Sequence, residues 1–283
     1  MSNSATIRRK KRRRHPGDLA PATRVAAGVV YLVLFLPLFI IIALSFNSDR
    51  YGNLPFHFTV HWYRVLTADE ALLHATWISL VLSVAVAVFC VIVGVAASIW
   101  QADGGRSAPR NSLSGLLLIA LTLPWLILGL GMLMVFNALG IGRSMVAMFL
   151  GLSAISLPYV VFIVTARLKS ISSSLTDAAR SLGATPRAAM VRVTLPLAGP
   201  AIASAALMAF MVAFNNFLIQ YFLAPFGQDT LPLRIYNLVK VGYTPDLNAL
   251  ATYIVLATIA IVVALNVFGL RQALRIGDDD VSD

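Results

Sequence analysis

Charged side chains are absent from long, regularly spaced parts of this chain. Residues 25–48, 71–102, 111–142, 144–166, 193–228 and 247–270 contain no Asp, Glu, Lys or Arg. Each stretch is strongly apolar over at least part of its length. About 20 helical residues cross roughly 30 Å of hydrocarbon. Backbone amides in lipid must be satisfied within the segment, which favours helices. No stretch alternates in the manner of a membrane barrel. The pattern predicts an all-α integral membrane protein with six transmembrane helices, near 25–46, 74–100, 113–136, 144–167, 197–222 and 248–271. Residues 25–271 form the membrane domain. A basic tail, 1–24, precedes it and an acidic tail, 272–283, with Asp278, Asp279 and Asp280, follows.

Composition agrees. Of 283 residues, 59% are hydrophobic and 12% charged. A soluble domain carries roughly 25% charged residues, so an ordinary soluble enzyme is excluded. The net charge of +10 first suggests a nucleic-acid partner. However, seven of the 22 basic residues form one run, Arg8 to Arg14, and without it the charge is +3. No nucleic acid is expected; the run suits an anionic lipid surface. A single Cys excludes an internal disulfide. His15, His57, His61 and His74 are scattered, so no metal site is expected.

Basic residues also orient the spans. With both termini in the cytoplasm, 17 of the 22 lie inside and five (Arg50, Arg64, Arg143, Arg234, Lys240) outside. That split follows the positive-inside rule. The first apolar segment is too long for a secretory signal and reaches Phe46-Asn47-Ser48 without an A-x-A-like site, so it reads as an uncleaved helix. Outer segment 47–70 carries Tyr51, Phe56, Phe58, Trp62 and Tyr63. They fit an interfacial aromatic belt or a surface for an external partner.

The inner loop between the fourth and fifth spans is the most informative. Residues 167–196 predict two short helices. Ser174 is placed to cap the first, with Asp177 three residues on and suited to the helix dipole. Gly183 suits its C-terminal stop. Thr185 and Pro186 suit the cap and first position of the second, and Pro196 closes the unit. Small residues Ala178, Ala179, Ala184, Ala188 and Ala189 allow close approach. A plain connection needs only a few residues, so this elbow, residues 171–196, reads as a docking piece for a cytoplasmic partner.

Asp177-Ala178-Ala179, Gly183 and Val193-Thr194-Leu195-Pro196 resemble the EAA motif of bacterial ABC-importer permeases, E-A-A-x3-G-x9-I-x-L-P. The spacing matches fully; Asp stands for Glu and Val for Ile. Phe46 to Gly52 and Leu231 to Thr252 are similar to the second permease of spermidine/putrescine importers. The resemblance covers about residues 25–270. It implies a type I ABC-importer permease fold in a bacterial inner membrane. It implies a coupling elbow (Asp177, Ala178, Ala179, Gly183, Ala184, Pro196) seated in an ATPase groove. It also implies a sister permease, two ATPase subunits and an extracytoplasmic substrate-binding protein. The chain has no G-x4-G-K-[ST] phosphate loop. It is therefore expected to be no enzyme and to bind no cofactor itself, ATP being used by the partner ATPase.

Intramembrane polar groups are functional candidates by default. Asn215, Asn216 and Gln220 lie in the fifth span; positions 216 and 220 would share one helix face. They line the path or hydrogen-bond between helices. Pro124-Trp125 with Gly129 and Gly131, and Pro158-Tyr159, are expected to bend the third and fourth spans; such breaks line cavities in transporters. Trp125 and Tyr159 join the path candidates. A Trp face takes an organic cation or stacks on a sugar ring. Spermidine/putrescine permeases typically carry acidic residues where this chain has Asn215-Asn216. Phe214-Asn215-Asn216-Phe217-Leu218 is also similar to a sugar-permease segment, W-N-E/N-F-L. Polyamine-type import is the leading expectation, and a sugar or other neutral polar solute the alternative. A self-contained secondary transporter would need intramembrane ionisable groups or an inverted repeat, and neither is visible. Arg234, Tyr236 and Lys240 are candidate contacts for the binding protein.

Overall fold

The computed structural model describes residues 21–49, 55–102, 108–241 and 246–256, with positions 259 and 263 besides. The basic run Arg8–Arg14, Tyr51, Arg106, the acidic tail and most of the sixth predicted span lie outside the described residues. Among those described the regular secondary structure is helical, apart from one bridge pairing Asn47 with Phe58. The chain divides into two compact units. One holds residues 67–243; the other holds residues up to 66 and those from 244 on.

In the second of these units, α1 (Pro21–Ser45) runs unbroken through Pro37. Its residues 23–40 are exposed, as suits a lipid-facing helix. The chain leaving α1 folds over its end. Ser45 Oγ and the Tyr63 hydroxyl lie 2.7 Å apart, and Trp62 Nε1 donates to the Asn47 carbonyl at 2.8 Å. The Phe46 ring stacks on Phe58 and tilts against Tyr63, with centroids 5.5 and 5.2 Å apart. Thus Phe58 and Tyr63 of the aromatic outer segment are joined in one cluster. The short helix α2 (His61–Ala68) passes into the 67–243 unit. Asp246–Leu256 is a further apolar helix at the start of the sixth predicted span.

The 67–243 unit contains α3 (Glu70–Ala102), α4 (Ala108–Thr122), α5 (Trp125–Ala138), α6 (Met145–Ser170), α7 (Ser173–Ser181), α8 (Pro186–Ala189), α9 (Leu195–Asn215), α10 (Phe217–Leu223) and α11 (Leu231–Val241). Helix α3 starts where the Asp69 carboxylate accepts from the Leu72 N–H at 3.0 Å. Its 33 residues span about 50 Å at 1.5 Å per residue. The core lies where α3, α6 and α9 meet. Lipid supplies no hydrophobic drive between helices, so close packing of small residues must. Ala198, Ala205, Ala209 and Ala213 line the buried stripe of α9. At Gly94 an added Cβ would lie 2.6 Å from Val160 Cγ1, so only glycine lets α3 come this near α6. Ser98 Oγ donates to Val161 O at 3.1 Å, and Thr165 Oγ1 to Gln101 Oε1 at 3.4 Å, tying α3 to α6.

The spans differ in detail from their sequence outlines. The third, expected over 113–136 with a bend at Pro124-Trp125, is two helices turned by 110° there. Pro124 has φ −59° and ψ 129° and brings no N–H to the ladder. In α6, by contrast, Pro158 sits mid-helix without a break. The fifth helical run begins early, at Pro186, and stops at Asn215. Among the described residues, four helices are long and apolar enough to cross a membrane, or five if α4 and α5 count as one.

Candidate functional site

The elbow is a chain of capping reactions. Ser172 caps α7, its side chain accepting from the Ser174 N–H at 3.3 Å. This corrects the expected cap at Ser174. Ser172, Ser173 and Ser174 all offer a hydroxyl, and the helix takes the earliest extended one. Asp177 therefore lies beyond the first turn, outside a capping box, and is exposed. The other end forms as expected. Gly183 has φ +90°, its N–H bonds Arg180 O at 2.9 Å, and the Ala184 N–H bonds Ala179 O at 3.0 Å. These are the two bonds of a Schellman turn, which needs a left-handed residue. Thr185 then caps α8, accepting from the Ala188 N–H at 3.2 Å, with Pro186 in the first turn.

Pro196 does not close the elbow, as expected from sequence. Residues Met190–Thr194 form a π-turn, in which the Leu195 N–H reaches Met190 O, and the helix runs on into α9. Proline in a regular helix clashes with the carbonyl four residues back; the wider turn preceding Pro196 gives the ring room. The elbow is thus continuous with the fifth span. Its root is pinned by Arg167, whose Nε and guanidinium nitrogen donate to Leu197 O at 3.2 and 3.1 Å. Ala189 is buried. Outward, Leu182 is 91% exposed and Leu175 47%.

The path candidates separate. Asn215 and Trp125 are exposed, Tyr159 is half-buried, and Asn216 and Gln220 are buried. The expectation that 216 and 220 share a helix face is not met, because the helix breaks at Asn216 (φ −77°, ψ 95°). Asn216 caps α10, its Oδ1 accepting from the Ile219 N–H at 2.8 Å. Gln220 Nε2 donates to Ala213 O at 2.8 Å, across the break, and its Oε1 accepts from Thr230 Oγ1. Both amides thus hold the broken helix together inside the unit.

Helix α10 is then bolted to α5 and α6. An added Cβ on Gly129 would stand 2.7 Å from Phe222, and one on Gly151 2.5 Å from Leu223. Arg143 donates to the carbonyls of Ala224 (2.9 Å) and Tyr221 (3.1 Å), at the end where the helix dipole favours a cation. The start of α11 is fixed by the Leu231 N–H donating to Ser79 Oγ at 2.7 Å and by the Arg234–Asp69 ion pair at 3.5 Å. The structural roles of Arg143, Ser79, Asp69 and Thr230 were missed from sequence. Most of their partners lie 78 to 165 residues away, so no local spacing signals them.

Among the described residues no three His, Cys, Asp or Glu side chains converge on a metal position. An open groove of about 380 Å³ runs between α3 and α6, lined by Trp77, Ile78, Val81, Leu82, Ala85, Met145, Val146 and Phe149. Its apolar lining suits an acyl chain better than a polar solute.

Residues 94–276 match the family described as the binding-protein-dependent transport system inner membrane component. The chain is 32% identical over 237 residues to the spermidine/putrescine transport system permease protein PotC of Haemophilus influenzae, covering 83% of this chain and 91% of that one. It is 31% identical over 230 residues to the putrescine transport system permease protein PotI of Escherichia coli K12, covering 79% and 82%. In structure it is similar to a chain of a bacterial ABC transporter involved in importing the acidic polysaccharide alginate. The TM-score is 0.64 at 18% identity, over 88% of this chain and 94% of that one.

Proposed function

The chain belongs to the family of binding-protein-dependent transport inner membrane components and is a permease subunit of an ABC importer; from that premise we propose that its cargo is a polyamine. In this reading six spans cross the bacterial inner membrane with both termini in the cytoplasm. The chain forms half of an alternating-access path, a sister permease the other half. Two ATPase subunits drive it, and a binding protein delivers the solute from outside. ATP is bound and hydrolysed by those subunits alone. The cargo assignment follows from likeness to permeases named for spermidine and putrescine.

One observation carries the coupling role. The elbow is a pre-folded, outward-facing unit continuous through its π-turn with the fifth span. A push on Leu182 would cross only the capped turn Gly183–Thr185 before it met the continuous helical run Pro186–Asn215. Residues Asp177, Ala178, Ala179, Gly183 and Ala184 shape the docking face, and Pro196 its root. Leu182→Glu should abolish co-purification of the ATPase subunits and cut transport by tenfold or more, about 1.4 kcal/mol, while the permease still inserts. Full retention of both would overturn the docking role.

A neutral polar solute is the second reading, favoured by the absence of Asp and Glu from all six apolar stretches. ATPase stimulation by binding protein loaded with spermidine, putrescine or a panel of sugars separates the two. Stimulation by sugars alone would remove the polyamine assignment.

A further inference from the structure

Two joints bound the elbow. On one side Ile171 and Ser172 are extended, with ψ of 129° and 130°, between the end of α6 and the start of α7. On the other, the π-turn Met190–Thr194 leads into α9. Behind both joints, Arg167 of α6 holds the Leu197 carbonyl of α9 through two nitrogens. The bases of the two spans are thus tied together, and the block from Ser173 to Ala189 is suspended between the joints. Its exposed apolar residues, Leu175 and Leu182, lie within that block.

The π-turn leaves one hydroxyl unpaired. Hydroxyls elsewhere in the helices donate to the carbonyl four residues back: Thr76 to Leu72 at 2.8 Å, Ser98 to Gly94 at 2.7 Å and Ser204 to Pro200 at 2.9 Å. For Thr194 that carbonyl is Met190 O, and the Leu195 N–H takes it. Thr194 Oγ1 is buried and has no partner among the described residues. Buried Ser83, Ser153 and Ser156 also lack one, but they stand in regular α-helix; of these four, Thr194 alone has had its carbonyl drawn off by the ladder. Tightening the turn to the α-ladder would pass the Leu195 N–H to Val191 O and return Met190 O to Thr194. The same tightening would drive the Pro196 ring against Arg192 O, the carbonyl four residues back. The hydroxyl therefore favours the α-turn and the ring the π-turn. An unsatisfied buried hydroxyl and a proline inside a helix cost amounts of the same order, so neither register wins by much.

We infer that Met190–Thr194 is a register switch between the elbow and the fifth span, with Pro196 holding the π register and Thr194 drawing it toward the α register. The inference rests on the docking role of the elbow. Closing to an α-turn rotates the elbow block about the α9 axis by up to about 100°, one residue's share of a turn, and Ile171 and Ser172 give way at the other end. The helix stays continuous in both registers, so the movement is passed to α9. A balance this even needs only a small difference in ATPase contact between the two registers to tip it. Turns of this type inside α-helices recur at functional sites.

The test is a distance measurement on the complete importer in proteoliposomes. Nitroxides on Ser173→Cys in the elbow and Leu139→Cys in the α5–α6 turn are read by pulsed electron resonance, at rest and with the ATPase trapped by vanadate. Cys90 is buried, so the two introduced thiols take the labels. With no further change, the distance should differ between the two states. Pro196→Ala removes the ring and should show the trapped distance already at rest. Thr194→Val keeps the shape without the hydroxyl and should hold the resting distance after trapping, and Thr194→Ser should restore the shift. Solute taken up per ATP hydrolysed should fall roughly 2- to 10-fold in Pro196→Ala and in Thr194→Val. The switch is overturned if the distance is the same in both states, and the docking role then still stands. It is equally overturned by a shift that neither variant alters, as rigid movement of the whole chain would give. Leu182→Glu that retains its ATPase subunits overturns the docking role, and the switch with it.

Discussion

The elbow and the break at Asn216 solve the same problem in opposite surroundings. Each stops a helix and starts another, and each start is capped by a side-chain oxygen taking an N–H three residues on: Thr185 for Ala188, Asn216 for Ile219. At the elbow water is at hand, and local groups suffice. The Schellman turn satisfies the carbonyls of Ala179 and Arg180 from two residues directly ahead. At Asn216 the break is buried, so any carbonyl it frees must find a partner inside the protein. Gln220 supplies one for Ala213, and Thr230 then completes Gln220. An exposed interruption is thus made by its own few residues. A buried one needs a network.

That difference ranks the effects of breaking each. Gln220→Leu should cost most, about 2–4 kcal/mol, because it orphans both the Ala213 carbonyl and the Thr230 hydroxyl. Thermal unfolding of the purified importer would show it, and an unchanged midpoint would mean that the break does not depend on the network. Next comes the seat of α10. Gly151→Ala puts a methyl 2.5 Å from Leu223 Cδ1 and should cost about 1–3 kcal/mol. The control is Gly131→Ala, where nothing lies within 4 Å; it should be neutral or slightly stabilising, since alanine favours helix. Equal losses at both would refute the packing argument. The smallest effect belongs to the exposed cap. Thr185→Ala should cost about 1 kcal/mol or less, with little change in the unfolding midpoint. Its effect should show instead as faster hydrogen exchange in residues 186–189, without change around Asn216.

The two prolines sharpen the same point. Pro124 and Pro158 each stand beside an aromatic residue in an apolar stretch and read alike from sequence. One ends a helix with a 110° turn and the other does not interrupt its helix. In α6, Pro158 is buried, with the core residues Leu152, Ile155, Val160 and Val164 on either side, and that packing holds the helix through the missing hydrogen bond. Around Pro124 the neighbours Leu123, Trp125, Leu126 and Ile127 are exposed, and nothing opposes the local preference. Proline states a cost; the surroundings decide whether the helix bears it.

The charge-free stretches, by themselves, placed the first, second and fourth helices to within a few residues, because a membrane permits little else over twenty apolar positions. The Ala179–Ala184 closure at Gly183 and the cap at Thr185 were legible for a related reason. Their chemistry acts over three to five residues, and φ above zero singles out glycine. What the sequence could not tell was which serine among three caps α7, because all three satisfy the same local rule. Nor could it tell that Asn216 is itself the break and caps the helix that carries Gln220, since the spacing of the two reads as one unbroken helix. Arg143, Ser79 and Thr230 were silent for the deeper reason that their partners come only with the fold. The meeting of Phe217, Tyr221, Tyr236 and Lys240 is of that kind. Sequence offers Tyr236 and Lys240 only as outer-loop contacts and Phe217 and Tyr221 only as a helically spaced pair, and tertiary packing alone brings the three rings together.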